Sequence, residues 1–412
     1  MGLSVPSRGG VGWPMFSRNA RVVLFLSTAL AFSNAVSTVF VNMYLYRWLD
    51  GLAAITVFNL FQFALIPVGF VASALLSRRA GKRVSIALGL LLFVAFYGLL
   101  VVLGPRSAQL LYLIGTVNGL ANGFFWFPFN IVLAEAVDEG ERGRFFGIAG
   151  ALSSAAGAAG PLLATAAIEL APRPETGYAL IFLLIAAVMA FMAAAAVSLR
   201  VSEVRAPIRI LRHFRPGGGP GWRFAMDASF VYGVRDGASW SIMSILVLQA
   251  AKSDAVAGQL SILFAVFGIG ANYVAGKTMT SRRSSAFWGW GSLAAVVSSI
   301  ILVALPTAGW AAASGLIWKL AEALVFLPFN AAFFGILARY IELEGDIAGR
   351  NIAVEIVLNL GRALGAGVFL ALSFVTDDYA QILYPAVTLT VPASWLVYRR
   401  YLARRAAGLN AV

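Results

Sequence analysis

The sequence predicts an all-α membrane protein of twelve transmembrane helices, arranged as two pseudo-symmetric halves of six. Three observations predict it: a composition too apolar for water, twelve apolar runs of membrane-crossing length, and an internal repeat at an offset of about 200 residues. The 412 residues are 60% hydrophobic and 12% charged, with a mean hydropathy of +0.84. Soluble domains carry about 25% charged residues, so a cytosolic enzyme is excluded. The chain has no cysteine and one histidine, His213. Disulfide frameworks, thiolate metal sites and cysteine nucleophiles are therefore excluded, and no histidine cluster exists for metal binding or proton relay. No cofactor, catalytic group or metal site is expected.

A membrane-crossing helix needs roughly 20 mostly apolar residues. Apolar runs between charged or turn-like breaks fall near 22–47, 52–76, 84–104, 108–136, 145–170 and 178–199 in the first half. In the second they fall near 225–250, 256–280, 286–305, 309–339, 351–375 and 379–398. They are too long for the strands of an outer-membrane barrel, which alternate over about ten residues. The first run follows Arg8, Arg18 and Arg21 but exceeds a signal-peptide core, so it reads as a retained helix.

Most of the 31 basic residues lie on one side of these spans: in the tails, in the 2–3, 4–5, 6–7 and 10–11 loops and around the 8–9 connection. Arg47, Arg106, Arg173 and Lys252 lie on the other. By the positive-inside rule both termini face the cytoplasm, and the chain is a multi-pass protein of the inner (cytoplasmic) membrane. The +13 charge is this topogenic bias plus attraction to anionic lipid heads, and needs no nucleic acid.

The halves repeat. Trp126-Phe127-Pro128-Phe129-Asn130 in span 4 matches Phe326-Leu327-Pro328-Phe329-Asn330 in span 10. Ser77-Arg78-Arg79 after span 2 matches Ser281-Arg282-Arg283 after span 8, and Gly143-Arg144 opening span 5 matches Gly349-Arg350 opening span 11. The expected domains are residues 1–199, a basic cytoplasmic linker 200–224, and 225–412. Pro216 to Gly221 inside that linker reads as a flexible hinge by composition.

Two six-helix halves in one orientation, joined by a basic linker, resemble the major facilitator superfamily over essentially the whole chain. The family's 2–3 loop pattern is Gly-x-Leu-x-Asp-Arg-x-Gly-Arg-Arg, and Ala74 to Arg83 keep its Leu, Arg, Gly and paired basic positions. The leading Gly is Ala74 and the Asp is Arg78, so the family's version of this gate is altered. In span 5, Gly157-Ala158-Ala159-Gly160-Pro161 is similar to the Gly-Pro motif of drug:proton antiporters, without its trailing Gly-Gly pair. Plain small-residue packing is the competing reading. The resemblance implies that spans 1, 4, 7 and 10 line a central cavity.

Polar side chains inside hydrocarbon face a cavity or each other, and helical spacing shows which face does so. Span 1 places Asn34, Thr38 and Asn42 at steps of four; span 4 places Asn118, Asn122 and Trp126 likewise. Span 7 puts Tyr232, Asp236 and Trp240 on one face, with Arg235 beside them and suited to an anionic group. Span 10 aligns Lys319, Glu322 and Phe326. These are the expected substrate-cavity residues, although each asparagine also reads as ordinary interhelical glue.

Asp236 and Glu322 are mid-membrane carboxylates and read in two ways. As proton carriers they would load on one side and unload on the other. As structural groups they would pair, Asp236 with Lys319 across the cavity and Glu322 with Lys319 along the helix. Arg235 with Asp227 is a further structural pairing. For the cytoplasmic gate the expected residues are Arg78, Arg79, Gly81 and Arg83 in the 2–3 loop, Glu135 as the acid replacing the family's Asp, Arg144, and Glu355 on span 11 with Arg362 deeper.

No Gly-x-x-x-x-Gly-Lys-Ser/Thr segment is present, so ATP does not drive the protein. The function expected is secondary active transport by alternating access, as proton-coupled efflux of a small organic compound by a monomer in lipid. The alternatives are proton-linked uptake of a polar nutrient such as a sugar and, in another class, a lipid flippase or scramblase.

Overall fold

The computed structural model describes residues 16–48, 52–136, 142–201, 209–214, 219–280, 282–344, 346–376 and 378–406. Every regular element in them is helical. The first half contains α1 (Arg18–Trp48), α2 (Leu52–Ala80), α3 (Lys82–Leu103), α4 (Leu111–Ala136), α5 (Arg142–Leu170) and α6 (Pro174–Val197). The second contains α7 (Gly219–Ala251), α8 (Asp254–Thr278), α9 (Ser284–Ala304), α10 (Ala308–Glu344), α11 (Ile347–Ser373), α12 (Tyr379–Thr388) and α13 (Thr390–Ala406).

Nine stretches among the described residues are long and apolar enough to cross a membrane, in α1, α2, α3, α5, α6, α8, α9, α10 and α11. Of the rest, α4 interrupts its apolar run with Asn118, Asn122 and Asn130, and α7 with Arg235 and Asp236. The run read as one span over 379–398 is two helices, α12 of 10 residues and α13 of 17. Proline explains the break: Pro392 has no N–H for the carbonyl of Thr388, and Pro385 none for that of Gln381. The span expected from 108 begins instead with a 3-10 turn over Gly104–Leu110, opened by Pro105.

Packing repeats between the halves. α2 packs on α4, α3 on α4 and α6, and α1 on α5; correspondingly α8 packs on α10, α9 on α10 and on α12 and α13, and α7 on α11. The halves meet chiefly where α2 touches α11 and α5 touches α8. Exchanging the halves turns each of these contacts into the other.

Small residues set the closest approaches. Gly115, Gly119 and Gly123, one turn apart on α4, lie against the backbone of α2 at Phe58, Gln62 and Gly69, where any Cβ would overlap. Gly233 and Gly237 on α7 meet Gly361 and Arg362 on α11 in the same way. Gly160 lies against the Phe32 carbonyl of α1, where an added Cβ would sit 2.9 Å away. Gly160 of α5 and Gly361 and Gly365 of α11 therefore knit each half internally. Across the halves the tight contact is Gly258 of α8 against Thr165 of α5.

At the end of the bundle carrying the chain termini, an apolar cluster of Phe70, Ala74, Ala348 and Ile352 joins α2 to α11. At the opposite end Leu246, Val247 and Ala257 of α7 and α8 share a core with Leu45 of α1 and Ile168 of α5, and Gln249 Nε2 donates to Tyr46 Oη at 3.1 Å.

The described part of the connection between the halves, residues 209–214, is docked. Asp346 N-caps α11, accepting from the Gly349 N–H at 2.8 Å, from the Arg209 N–H at 3.0 Å and contacting His213 Nε2 at 3.1 Å. Partial burial pushes the Asp346 carboxyl up, but the hydrogen bonds from Gly349, His213 and Arg209 outweigh it and hold the group below the usual carboxylate range. Trp222 Nε1 donates to the His213 carbonyl at 2.9 Å. The glycines and proline at 219–221, expected within a hinge, open α7 instead, with Pro220 in the first turn where its missing N–H costs nothing. Pro216, Gly217 and Gly218 lie outside the described residues.

Candidate functional site

A cavity of about 650 Å³ lies between the halves. The α1 wall presents Asn34, Thr38 and Asn42, the α2 wall Gln62 and Phe63, and the α4 wall Asn118, Asn122, Trp126 and Asn130. The second half closes it with Glu322 and Phe326 of α10 and Glu355 and Arg362 of α11. Steps of four on α1 and α4 bring these amides onto one face of each helix. Asn122 Nδ2 donates to the Asn118 carbonyl at 2.9 Å and to Asn118 Oδ1 at 3.2 Å. The pair forms a fixed amide ladder that offers both donors and acceptors to the cavity. Trp126 is held edge-on by Phe125 and Phe129, with centroids 5.4 and 5.9 Å away. A second hollow of about 700 Å³ lies at the end opposite the termini, walled by Tyr46, Arg47, Glu169, Gln249 and Lys252.

The charged groups pair differently from either structural arrangement expected for Asp236 and Arg235. Arg362 Nε donates to Asp236 Oδ2 at 2.7 Å, so the partner of Asp236 is Arg362 of α11 and not Lys319. The close α7–α11 packing at Gly237 brings them together. Lys319 pairs along α10 with Glu322 at 2.7 Å, the i,i+3 contact expected, and the Glu322 side chain stays 46% exposed. Arg235 does not reach Asp227: its guanidinium lies over the Trp318 ring at 4.2 Å and near Tyr232 at 5.9 Å. Tyr232 stacks on Phe329 at 5.5 Å and, with Arg235, Glu322 and Phe326, bounds a side pocket of about 30 Å³ within the second half. Glu355, expected at the gate, lines the central cavity two turns from Arg362, and accepts from Asn359 Nδ2 at 3.1 Å. The indole of Trp240 lies outside the described residues.

At the gate end, α2 and α3 are joined by Gly81 alone, at φ +91°. That left-handed value is open to glycine at little cost, which accounts for the Gly in the loop pattern. Arg78, Arg79 and Arg83 point outward and are exposed. Glu135 pairs instead with Lys82, whose ammonium donates to both carboxylate oxygens at 2.7 and 2.6 Å. Lys82 is 1% exposed and Glu135 43%. The side chain of Arg144 lies outside the described residues.

Sequence reasoning gave no site role to Gln62 or Asn359, read Arg362 only as lying deeper than the gate, and read Lys82 only as one of the basic positions of the 2–3 loop. Gln62 and Arg362 line the cavity; Asn59 precedes the first by three residues and Asn359 the second by three, and that helical spacing was the available signal. Asn359, between Glu355 and Arg362 on α11, holds both, donating to Glu355 at 3.1 Å and accepting from Arg362 Nη1 at 3.3 Å.

Comparison with known proteins agrees with this architecture. A 25% identical relative over 343 residues, covering 82% of this chain and 78% of its own, is the uncharacterized protein YqgE of Bacillus subtilis (strain 168). Another, an uncharacterized protein in the sodM 3' region of Geobacillus stearothermophilus, is 27% identical over 204 residues, half of this chain and 95% of its own. Among solved structures, a POT family transporter in complex with 5-aminolevulinic acid superposes with a TM-score of 0.70 at 12% identity, over 95% of this chain and 98% of that one. An autoinhibited POT family peptide transporter gives 0.69 at 13%, over 93% and 97%. The nucleoside transporter NupG gives 0.67 at 11%, over 93% and 98%. These likenesses show the fold; none of the three is a drug exporter. The family model of the Major Facilitator Superfamily matches residues 22–366, and with that match this chain belongs to the Major Facilitator Superfamily of secondary membrane transporters.

Proposed function

We propose that the protein is a proton-linked carrier for uptake of a small polar solute, working by alternating access. In this reading the chain crosses the inner membrane twelve times, α12 and α13 together forming the last crossing, with both termini cytoplasmic. Residues 1–199 and 225–412 rock as two bodies about the central cavity. The observation that carries it is the lining of that cavity: amides of α1 and α4 face Glu322, Glu355 and Arg362 across about 650 Å³. A site between the repeats with polar groups from both is what alternating access requires.

Uptake of a polar solute is favoured over efflux of an organic compound for two reasons. The superposing carriers are described as transporting peptides and nucleosides or as binding 5-aminolevulinic acid. The Gly160-Pro161 motif, the sequence feature that favoured efflux, is accounted for by close packing of α5 on α1.

For proton coupling, a proton on Asp236 would first have to displace Arg362 at 2.7 Å. Glu355 faces the cavity and is held by a neutral amide, so it is the better carrier; Glu322, already bound to Lys319, comes second. Loading Glu355 removes a charge beside Arg362 and strengthens the hold of Arg362 on Asp236, which couples α11 to α7.

The test is proton entry into vesicles holding reconstituted protein and a luminal pH dye. Adding alanylglutamine, uridine or gluconate outside should acidify the lumen for at least one of them, and E355Q should abolish that while leaving solute exchange intact. No acidification with any of the three rejects the coupled reading; unchanged acidification by E355Q rejects Glu355.

A further inference from the structure

Two mid-membrane charges among the described residues lack an ion-pair partner: Glu355, which a neutral amide holds and which the carrier reading loads with a proton, and Arg235. Asp236 is matched by Arg362 and Glu322 by Lys319. Arg235, between them in the fold, has no carboxylate at ion-pair distance among the described residues, and its Nε is buried without a hydrogen-bond partner. Its face is covered by Trp318 at 4.2 Å. Stacking offsets part of the cost of burying a cation, but it occupies the flat face and leaves the N–H groups radiating from the edge. Nearby, the hydroxyl of Tyr384, a residue only 1% exposed, is also buried with no partner in the described residues.

A guanidinium held by its face, with its edge unused, suits a planar oxyanion, which it grips with two parallel hydrogen bonds. The side pocket beside it holds about 30 Å³, room for the tip of a ligand but not its body. That pocket shares Glu322 and Phe326 with the central cavity, so a ligand anchored at Arg235 extends past them to the asparagines of α1 and α4. The charge count selects among anions. With Glu355 protonated, Arg235 is the one unmatched cation and neutralises a monoanion, whereas a phosphate near neutral pH would retain a second charge close to Glu322.

We propose that Arg235 anchors a carboxylate, so that the solute is a small organic monocarboxylate whose polar groups reach the amide wall. This deepens the carrier reading and rests on it. The test is thermal unfolding of the purified full chain in detergent at constant ionic strength, with two matched pairs: phenylacetate against phenylacetamide, and N-acetylalanine against N-acetylalaninamide. At least one acid should raise the melting temperature in a saturable way while its amide does not, and R235Q should abolish the difference. R235K, which keeps the charge without the fork, should weaken apparent affinity at least tenfold and serves if R235Q does not fold. Amides acting as strongly as acids, acids without effect, or a variant that keeps the full difference would each overturn the site. Solute-driven proton entry in vesicles together with equal binding of acids and amides would remove this site and leave the carrier; selective acid binding in a protein that moves no solute would do the reverse.

Discussion

At the residue scale, what matters is which partner each buried charge finds. Lys82 and Glu135 illustrate it: one is buried and the other half in water, so the two truncations are not equivalent. E135Q takes the carboxylate from a buried ammonium and should cost about 2 kcal/mol, while K82M leaves a half-exposed carboxylate and should cost clearly less. Detergent melting curves of the two variants check the ordering; equal losses would mean the pair is solvated. The sequence showed that these charges exist and which lie mid-span, because helical period and hydropathy are local properties. It did not show that Asp236 reaches Arg362 rather than Lys319, or that Glu355 faces the cavity. Those pairings depend on how α7, α10 and α11 are rotated against one another, and packing decides that.

At the element scale, glycine position sets how closely the helices approach. G119A would push a methyl into the Gln62 carbonyl of α2 and should cost about 1–3 kcal/mol as overpacking. G150A, with nothing within 4 Å of the added methyl, should be neutral or slightly stabilising in the same melts. The α4 stripe Gly115, Gly119, Gly123 was legible as a spacing of four, but its partner helix was not. The broken last span was likewise present in Pro385 and Pro392, masked by the continuous apolar run around them. The docked connection carries a pH signature. The Asp346 carboxyl is held below its ordinary value, so its contribution is complete above the unfolded pKa of about 3.9 and is lost as pH falls through the lower folded value. Wild type should therefore lose melting temperature over that acid range by more than D346N, which keeps a capping oxygen for Gly349 but lacks the titrating group, and should be less stable by about 1 kcal/mol at neutral pH through the lost charged oxygen that Arg209 and His213 share. Parallel pH profiles for the two would remove Asp346 from the account.

At the scale of the whole molecule, the doubling of the sequence reappears as a doubling of contacts, and this was its most legible feature. Motifs matched at equivalent topological positions predicted two alike halves, and α2–α4 and α8–α10 pack alike. The seam between the halves was not legible, since residues such as Ala74 and Ile352 look like any other apolar residue until the two helices are placed together. If the halves rock, spin labels across the α2–α11 seam and labels across the Tyr46–Gln249 end should change separation in opposite senses when solute is added. Changes of the same sign at both ends would indicate a breathing motion without alternation.

The seams α2–α11 and α5–α8 occupy equivalent places in the two halves. Lesions in them should therefore behave as opposing weights on a balance. Wedging open the Gly258–Thr165 touch should tip the population one way, wedging Ala74 from Ile352 the other, and a chain bearing both should settle back near its starting poise, less stable but no longer biased.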